Sequence, residues 1–397
     1  MLHSCTKQKL NCLFSNKMKS KTNSALVVFS GILTLINFVL HYGSTDGMLY
    51  LEVIESSVNL HQEVPVFERR MLLTKLLLFI KQFTPISLLH AFVIINYTAL
   101  FFCFIILGKI SILIHNNLKI ALLNISFFAF SFSILFAFFH PTYTYDDILA
   151  YLWILLSFYF LIQNKLLWAI FYLSIAVLTR ETSIILIIPF YYLHSKFFHS
   201  NSLSINKFFK FSVPVLVYIV YRIILWRING TQWEMEEWSF RFSGLKDNFL
   251  NYERSVETIT MFLVHALLPI ILILNVQPLV SSKEFIHKKN AFLLAIILNT
   301  LVVLFFASAR ESRLFMLPLL IISPWIGSYL HIKNYNFRLS MKWLVFIASC
   351  ILFYGFAFYV YAPTIRNGEN GLFQWYVYFY FMFCISLFVF SKDERPS

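Results

Sequence analysis

The chain has 397 residues, of which 59% are hydrophobic and 13% charged, with a mean hydropathy of +0.72. That composition excludes a water-facing globule, and only 10 Gly and 11 Pro exclude a collagen-like or low-complexity polymer. The net charge of +13 comes from Lys and Arg in segments that flank apolar runs, which points to anionic lipid as the basic residues' partner and away from nucleic acid.

A bilayer core of ~30 Å takes ~20 apolar residues as a helix, and the strict alternation of an outer-membrane barrel is not seen. The expected fold is therefore an all-α polytopic membrane protein. Twelve apolar runs predict twelve transmembrane helices, at 25–42, 86–108, 119–139, 147–162, 165–178, 183–195, 211–228, 257–275, 291–308, 314–331, 342–361 and 371–391. Those starting near 165 and 183 are short, so tilt, a partly re-entrant path or extension into the interface is expected of them.

Residues 1–24 form a basic tail with Lys7, Lys9, Lys17, Lys19 and Lys21 and no acid, which predicts a cytoplasmic N-terminus. The first run reads as an uncleaved anchor, because no small-residue cleavage pattern follows it. Residues 25–391 then make one transmembrane domain, and 392–397 a short cytoplasmic tail. With twelve crossings, the loops on the tail's side carry only Glu284, Asp393 and Glu394 among the acids, and all other acids fall on the opposite side. Hydropathy alone did not demand this partition. It predicts a multi-pass membrane protein with both termini cytoplasmic. Cys5 and Cys12 lie in the tail and Cys103, Cys350 and Cys384 in apolar runs, so no disulfide or thiolate metal site is expected.

The first outer loop, 43–85, repeats apolar residues at helical spacing: Leu49, Val53, Ile54 and Val58, then Met71, Leu72, Leu76 and Ile80. Two interfacial helices are expected there. Asp46 stands at their start. It fits a helix N-cap, and equally a carboxylate that takes a proton from an acceptor hydroxyl at the membrane boundary.

Further along, His140 precedes the paired acids Asp146 and Asp147. Adjacent carboxylates near a His suit a divalent cation; they also suit the positive end of the helix that follows. Thr179-Arg180-Glu181-Thr182 is echoed by Ala309-Arg310-Glu311-Ser312-Arg313, each ahead of an apolar segment with a proline, Pro189 or Pro318. Arginines at a boundary anchor to lipid phosphate or, through their planar fork, hold a phosphorylated headgroup. The loop 229–256 carries Trp233, Glu234, Glu236, Glu237 and Trp238, a pattern for interfacial anchoring or for stacking a sugar ring. There is no P-loop, GxGxxG helix start, HExxH or GxSxG motif.

Taken together, Asp46-Gly47-Met48-Leu49-Tyr50-Leu51, Phe67-Glu68-Arg69-Arg70-Met71, Leu178-Thr179-Arg180-Glu181-Thr182 and Arg310 to Pro318 resemble, in order, the short motifs of bacterial GT-C-type multi-span glycosyltransferases. The resemblance implies a helical bundle with interfacial helices in the first outer loop. It implies transfer of a sugar from a polyprenyl-phosphate donor to an acceptor glycan, lipid or protein on the extracytoplasmic face. Asp46 would be the catalytic base, with Arg180, Glu181, Arg310, Arg313, Arg69 and Arg70 around the donor phosphate. Tyr50, His140, Trp233 and Trp238 are expected to touch substrate. Two departures matter: Asp46 is followed by Gly47 where many GT-C enzymes pair acids, and no large soluble C-terminal domain follows. No cofactor is demanded, and a divalent cation at Asp146 and Asp147 is compatible with the pattern. The rival readings are a polymerase of lipid-linked oligosaccharide repeats and a non-enzymatic flippase of lipid-linked sugars. The flippase fits less well, since transporters place polar groups near the bilayer midplane, whereas these gather at one boundary.

Overall fold

A computed structural model of the chain describes residues 2–43, 49–63, 70–139, 144–195, 205–229, 244–275, 282–307, 312–332, 341–364 and 371–390. Among them no β-strand occurs and nearly every residue is helical. Seven helices are long and apolar enough to cross a membrane: Lys21–Gly43, Leu88–His115, Phe208–Arg227, Tyr252–Ile273, Lys289–Phe306, Lys342–Thr364 and Leu372–Val389. The chain is thus an all-α, multi-pass membrane protein. The remaining five apolar runs also lie on helices, but shorter ones, Leu118–Ala129, Asp147–Ile162, Leu166–Thr179, Glu181–Leu193 and Leu317–Leu330.

In chain order, α1 (Leu2–Gly43) joins the basic tail and the first apolar run in one continuous helix. Two short helices follow, α2 (Leu51–Glu63) and α3 (Met71–Phe83), as the pattern predicts. Helix α2 buries Ile54 and Val58 as expected. Helix α3, however, buries Leu73 and Leu77 and leaves Leu72 and Leu76 exposed, one residue round from the predicted face. The cause is that the apolar stripe of α3 is broad enough to hold both pairs of leucines, so its pattern does not say which of them faces in.

Helix α4 (Leu88–His115) begins at Ser87, whose hydroxyl accepts from His90 N–H, and stops at Asn116 in the left-handed region, φ 49°. Asn117 then caps α5 (Leu118–Ala129) by accepting from the Lys119 and Ile120 amides. The predicted single run at 119–139 is broken at Ser131, whose hydroxyl turns back to the Phe128 carbonyl at 2.7 Å. After it comes the four-residue helix α6 (Phe132–Leu135). Helices α7 (Asp147–Ile162) and α8 (Leu166–Thr179) form a hairpin through Asn164, φ 66°. Next, a 3-10 stretch, Glu181–Leu186, runs into α9 (Ile187–Leu193). The second half comprises α10 (Ile205–Phe211), α11 (Val213–Asn229), α12 (Gly244–Asn248), α13 (Tyr252–Asn275), α14 (Ser282–Phe306), α15 (Leu317–Ile332), α16 (Met341–Gly355) and α17 (Leu372–Val389).

Two apolar cores result. The larger joins α4, α5, α7, α8 and α15 around residues such as Phe104, Phe128, Ile154 and Leu320; the smaller gathers Phe132, Phe136, Met261, Phe315, Phe373 and Phe381. Close approach of α15 to α5 depends on Gly327, where a Cβ would lie 2.8 Å from the Ile120 carbonyl oxygen. Asn124 locks this crossing: it accepts from the Gly327 amide at 2.5 Å and donates to the Pro324 carbonyl at 2.6 Å. Pro324 has no amide hydrogen to give the Leu320 carbonyl, which accepts from Ser323 Oγ at 3.4 Å, and the Pro324 carbonyl is met by His115 Nε2 at 2.9 Å as well as by Asn124. By contrast, α11 and α16 bury little; Leu216, Ile351 and Leu352 are exposed, as suits side chains facing hydrocarbon.

Candidate functional site

At one end of the bundle the start of α7, the end of α8 and the helices α2 and α3 converge. Helix α8 ends because Arg180 leaves the helical region, φ −150° and ψ 114°, while its amide still bonds the Ala176 carbonyl. That extended residue turns its side chain inward. It is 2% exposed, and its Nη1 lies 3.3 Å from Asp146 Oδ1 and in direct contact with Asp147 Oδ1. Its Nε donates to Thr182 Oγ1 at 3.2 Å. Asp146 stands at the N-cap position of α7 without bonding the helix amides through its side chain, so its carboxylate serves Arg180 and not the cap.

Glu181 binds the other partner. Arg70, just ahead of α3, grips it with two parallel bonds, Nε to Oε2 at 2.9 Å and Nη2 to Oε1 at 2.7 Å. This fork is the strong, geometry-selective form of the ion pair. It ties the first loop to a residue 111 positions away. Beside Asp146, Tyr145 packs tilted at 39° on His61, 4.4 Å between ring centroids, and shares a 3.0 Å hydrogen bond with Thr74.

The sequence set Asp146 and Asp147 aside for a metal and Arg180 for phosphate. In the structure they form one ionic group, in which the guanidinium occupies the place a cation would take between the carboxylates. Among the described residues no group of three or more His, Cys, Asp or Glu could hold a metal ion. Three buried oxygens of this region, Asp146 Oδ2, Thr144 Oγ1 and Ser183 Oγ, make no hydrogen bond with described residues. They are acceptors or donors in reserve.

Other expected residues fall elsewhere. Asp46, Arg69, His140, Trp233, Trp238 and Arg310 lie outside the described residues. Arg313 lies in the 3-10 turn Ser312–Phe315 ahead of α15. Tyr50 is exposed beside the first turn of α2, to which it lends a carbonyl for the Ile54 amide.

Residues that sequence reading overlooked are His61, Thr74, Tyr145 and two buried histidines. His41 Nε2 faces the Ile134 and Leu135 carbonyls, both at 3.1 Å, and its Nδ1 faces Tyr97 Oη at 2.7 Å. Because carbonyls only accept, Nε2 carries the proton and Tyr97 donates to Nδ1. His265 approaches α6 from α13: its Nδ1 donates to Met261 O and its Nε2 accepts from Ser133 Oγ, both at 2.8 Å. An ionisable residue inside an apolar run was the available signal for both.

Set against protein-family models, curated proteins and solved structures, the chain matches none.

Proposed function

We propose that the chain is a membrane glycosyltransferase of GT-C type, with twelve spans and both termini in the cytoplasm of a bacterial cell. It moves a sugar from a polyprenyl-phosphate donor to an acceptor glycan, lipid or protein on the extracytoplasmic face. The observation that carries the reading is the meeting of Arg70, Glu181, Arg180, Asp146 and Asp147, remote in sequence, at one end of an apolar bundle beneath α2 and α3.

In the proposed step the acceptor oxygen attacks the anomeric carbon and the bond from that carbon to the donor phosphate breaks. The phosphate leaves with the electron pair, and Asp46 takes the acceptor's proton. Positive donors around the leaving phosphate lower the barrier most where water is excluded. Arg69, Arg310 and Arg313 are assigned that task together with Arg70. Arg180, already matched by two carboxylates, acts as a positioning residue that joins α8 to α7, while Glu181 holds Arg70. Tyr50, His140, Trp233 and Trp238 are assigned to the sugar and the acceptor.

The test is transfer from a radiolabelled polyprenyl-phosphate sugar by purified protein in nanodiscs. Asp46→Asn is expected to lower turnover by about 10²-fold or more with donor binding retained. Undiminished turnover in that variant removes Asp46 from the mechanism.

A further inference from the structure

The two ion groups of the candidate site differ in depth. The side chains of Arg180, Asp146 and Asp147 are each 3% exposed or less, whereas Arg70 is 15% exposed and Glu181 9%. The inner group is a sealed joint, and the outer pair stands at the rim, within reach of a ligand. Arg70 also precedes the first turn of α3, with φ −105° and ψ 42° and no side-chain bond to the helix amides, so its side chain changes partners without unwinding α3. The loop has other fastenings meanwhile, since Tyr145 bonds Thr74 of α3 and packs on His61 of α2.

The edge that Arg70 offers Glu181, Nε to Oε2 at 2.9 Å and Nη2 to Oε1 at 2.7 Å, is the fork of a guanidinium that fits two oxygens of a phosphate equally well. A carboxylate and a phosphate cannot fill one edge together. While Glu181 is in place it also offsets the charge that would draw an anion to Arg70. The reaction adds an asymmetry. The donor's phosphate is a diester with one negative charge, but the carrier phosphate left after transfer is a monoester carrying about −1.5 to −2 at pH 7. An arginine left alone with both would hold the product more tightly than the donor.

We propose that Glu181 is a built-in competitor at the phosphate site. It fills the Arg70 fork in the empty protein, yields it to the donor phosphate, and returns to expel the carrier phosphate once the sugar has left. The inference rests on the transferase reading and deepens it by giving that site a means of product release. It fixes the sign of an effect: removing a carboxylate that merely steadies Arg70 weakens anion binding, and removing a competitor strengthens it.

Equilibrium binding of tritiated decaprenyl phosphate to the purified full chain in nanodiscs reads that sign. Glu181→Gln, which keeps the shape and loses the charge, is expected to bind the probe about tenfold more tightly. Should it fail to fold, Glu181→Asp decides: one methylene shorter, it reaches the fork less well and is expected to bind the probe more tightly than the unaltered protein. The gain is expected to vanish when Arg70→Gln is added, and to be absent with decaprenol, which brings no charge. Excess inorganic phosphate is expected to leave the probe bound; displacement by it assigns the fork to free phosphate and overturns the carrier assignment. Equal or weaker binding in the folded Glu181 variants overturns the proposal, as does a gain that survives Arg70→Gln or extends to decaprenol. In the transfer assay, Glu181→Gln is expected to lower the donor KM and kcat together, because product lingers. An undiminished kcat overturns the release step. A gain in binding that depends on Arg70, with no sugar transfer by the unaltered protein, keeps the competitor and defeats the transferase reading. Transfer without that gain does the reverse.

Discussion

Arg180 is the residue on which the candidate site turns. A guanidinium taken fully out of water survives only when matched, and Asp146 and Asp147 match it. Removing it strands two carboxylates in the interior, so Arg180→Ala is expected to cost about 3–5 kcal/mol of stability. Chemical unfolding in detergent micelles would measure this. The triple change Arg180→Met, Asp146→Asn, Asp147→Asn removes every charge of the triad and is expected to recover most of that loss while leaving sugar transfer impaired. A single variant as stable as the parent would contradict the buried triad. Arg70 and Glu181 make a separate coupled pair: a double-mutant cycle with Arg70→Gln and Glu181→Gln is expected to give an interaction energy of about 0.5–3 kcal/mol, and additive effects would deny the fork.

Elements were legible in the sequence as apolar runs, each of which lies wholly or mostly on helix. The turns at Asn116, Asn117 and Asn164 fall between runs but were not read as end signals. The inward stripe of α3 was not legible, since Leu72, Leu73, Leu76 and Leu77 offer two equivalent faces and only packing chooses between them. Nor was the break at Ser131, because a serine in an apolar run also fits quietly inside a helix by bonding its own backbone. Within the site, residue types announced themselves but their pairing did not: Arg180 and Asp146 are 34 positions apart, and charge patterning says nothing about which acid meets which base. The crossing of α15 and α5 yields a prediction of its own. Gly327→Leu would drive a side chain into the Ile120 carbonyl and the Asn124 amide, and is expected to destabilise by about 1–3 kcal/mol. Asn124→Ala removes its bonds to the Gly327 amide, the Pro324 carbonyl and Ser111 Oγ, at a cost of about 1–3 kcal/mol. Thermal melting of the purified variants checks both.

For the whole molecule, the segregation of acids to one set of loops anticipated that the acidic and guanidinium groups would share an end, and Arg70, Glu181, Arg180, Asp146 and Asp147 do so. Which residues bridge the two cores was beyond a linear reading, because that depends on where distant helices pass each other. The bridge is α6. It is bonded by His41 of α1 on one flank and by His265 of α13 on the other, and two residues beyond it the Ala137 carbonyl receives the Thr144 amide at 2.6 Å. Four residues thus act as a strut between sub-bundles. Neither can slide or melt without dragging on its neighbour, so denaturation should proceed as one cooperative event. Substituting both histidines with Phe removes the bonds that fasten α6 to α1 and α13, and should lower the melting temperature of the whole without dividing the transition.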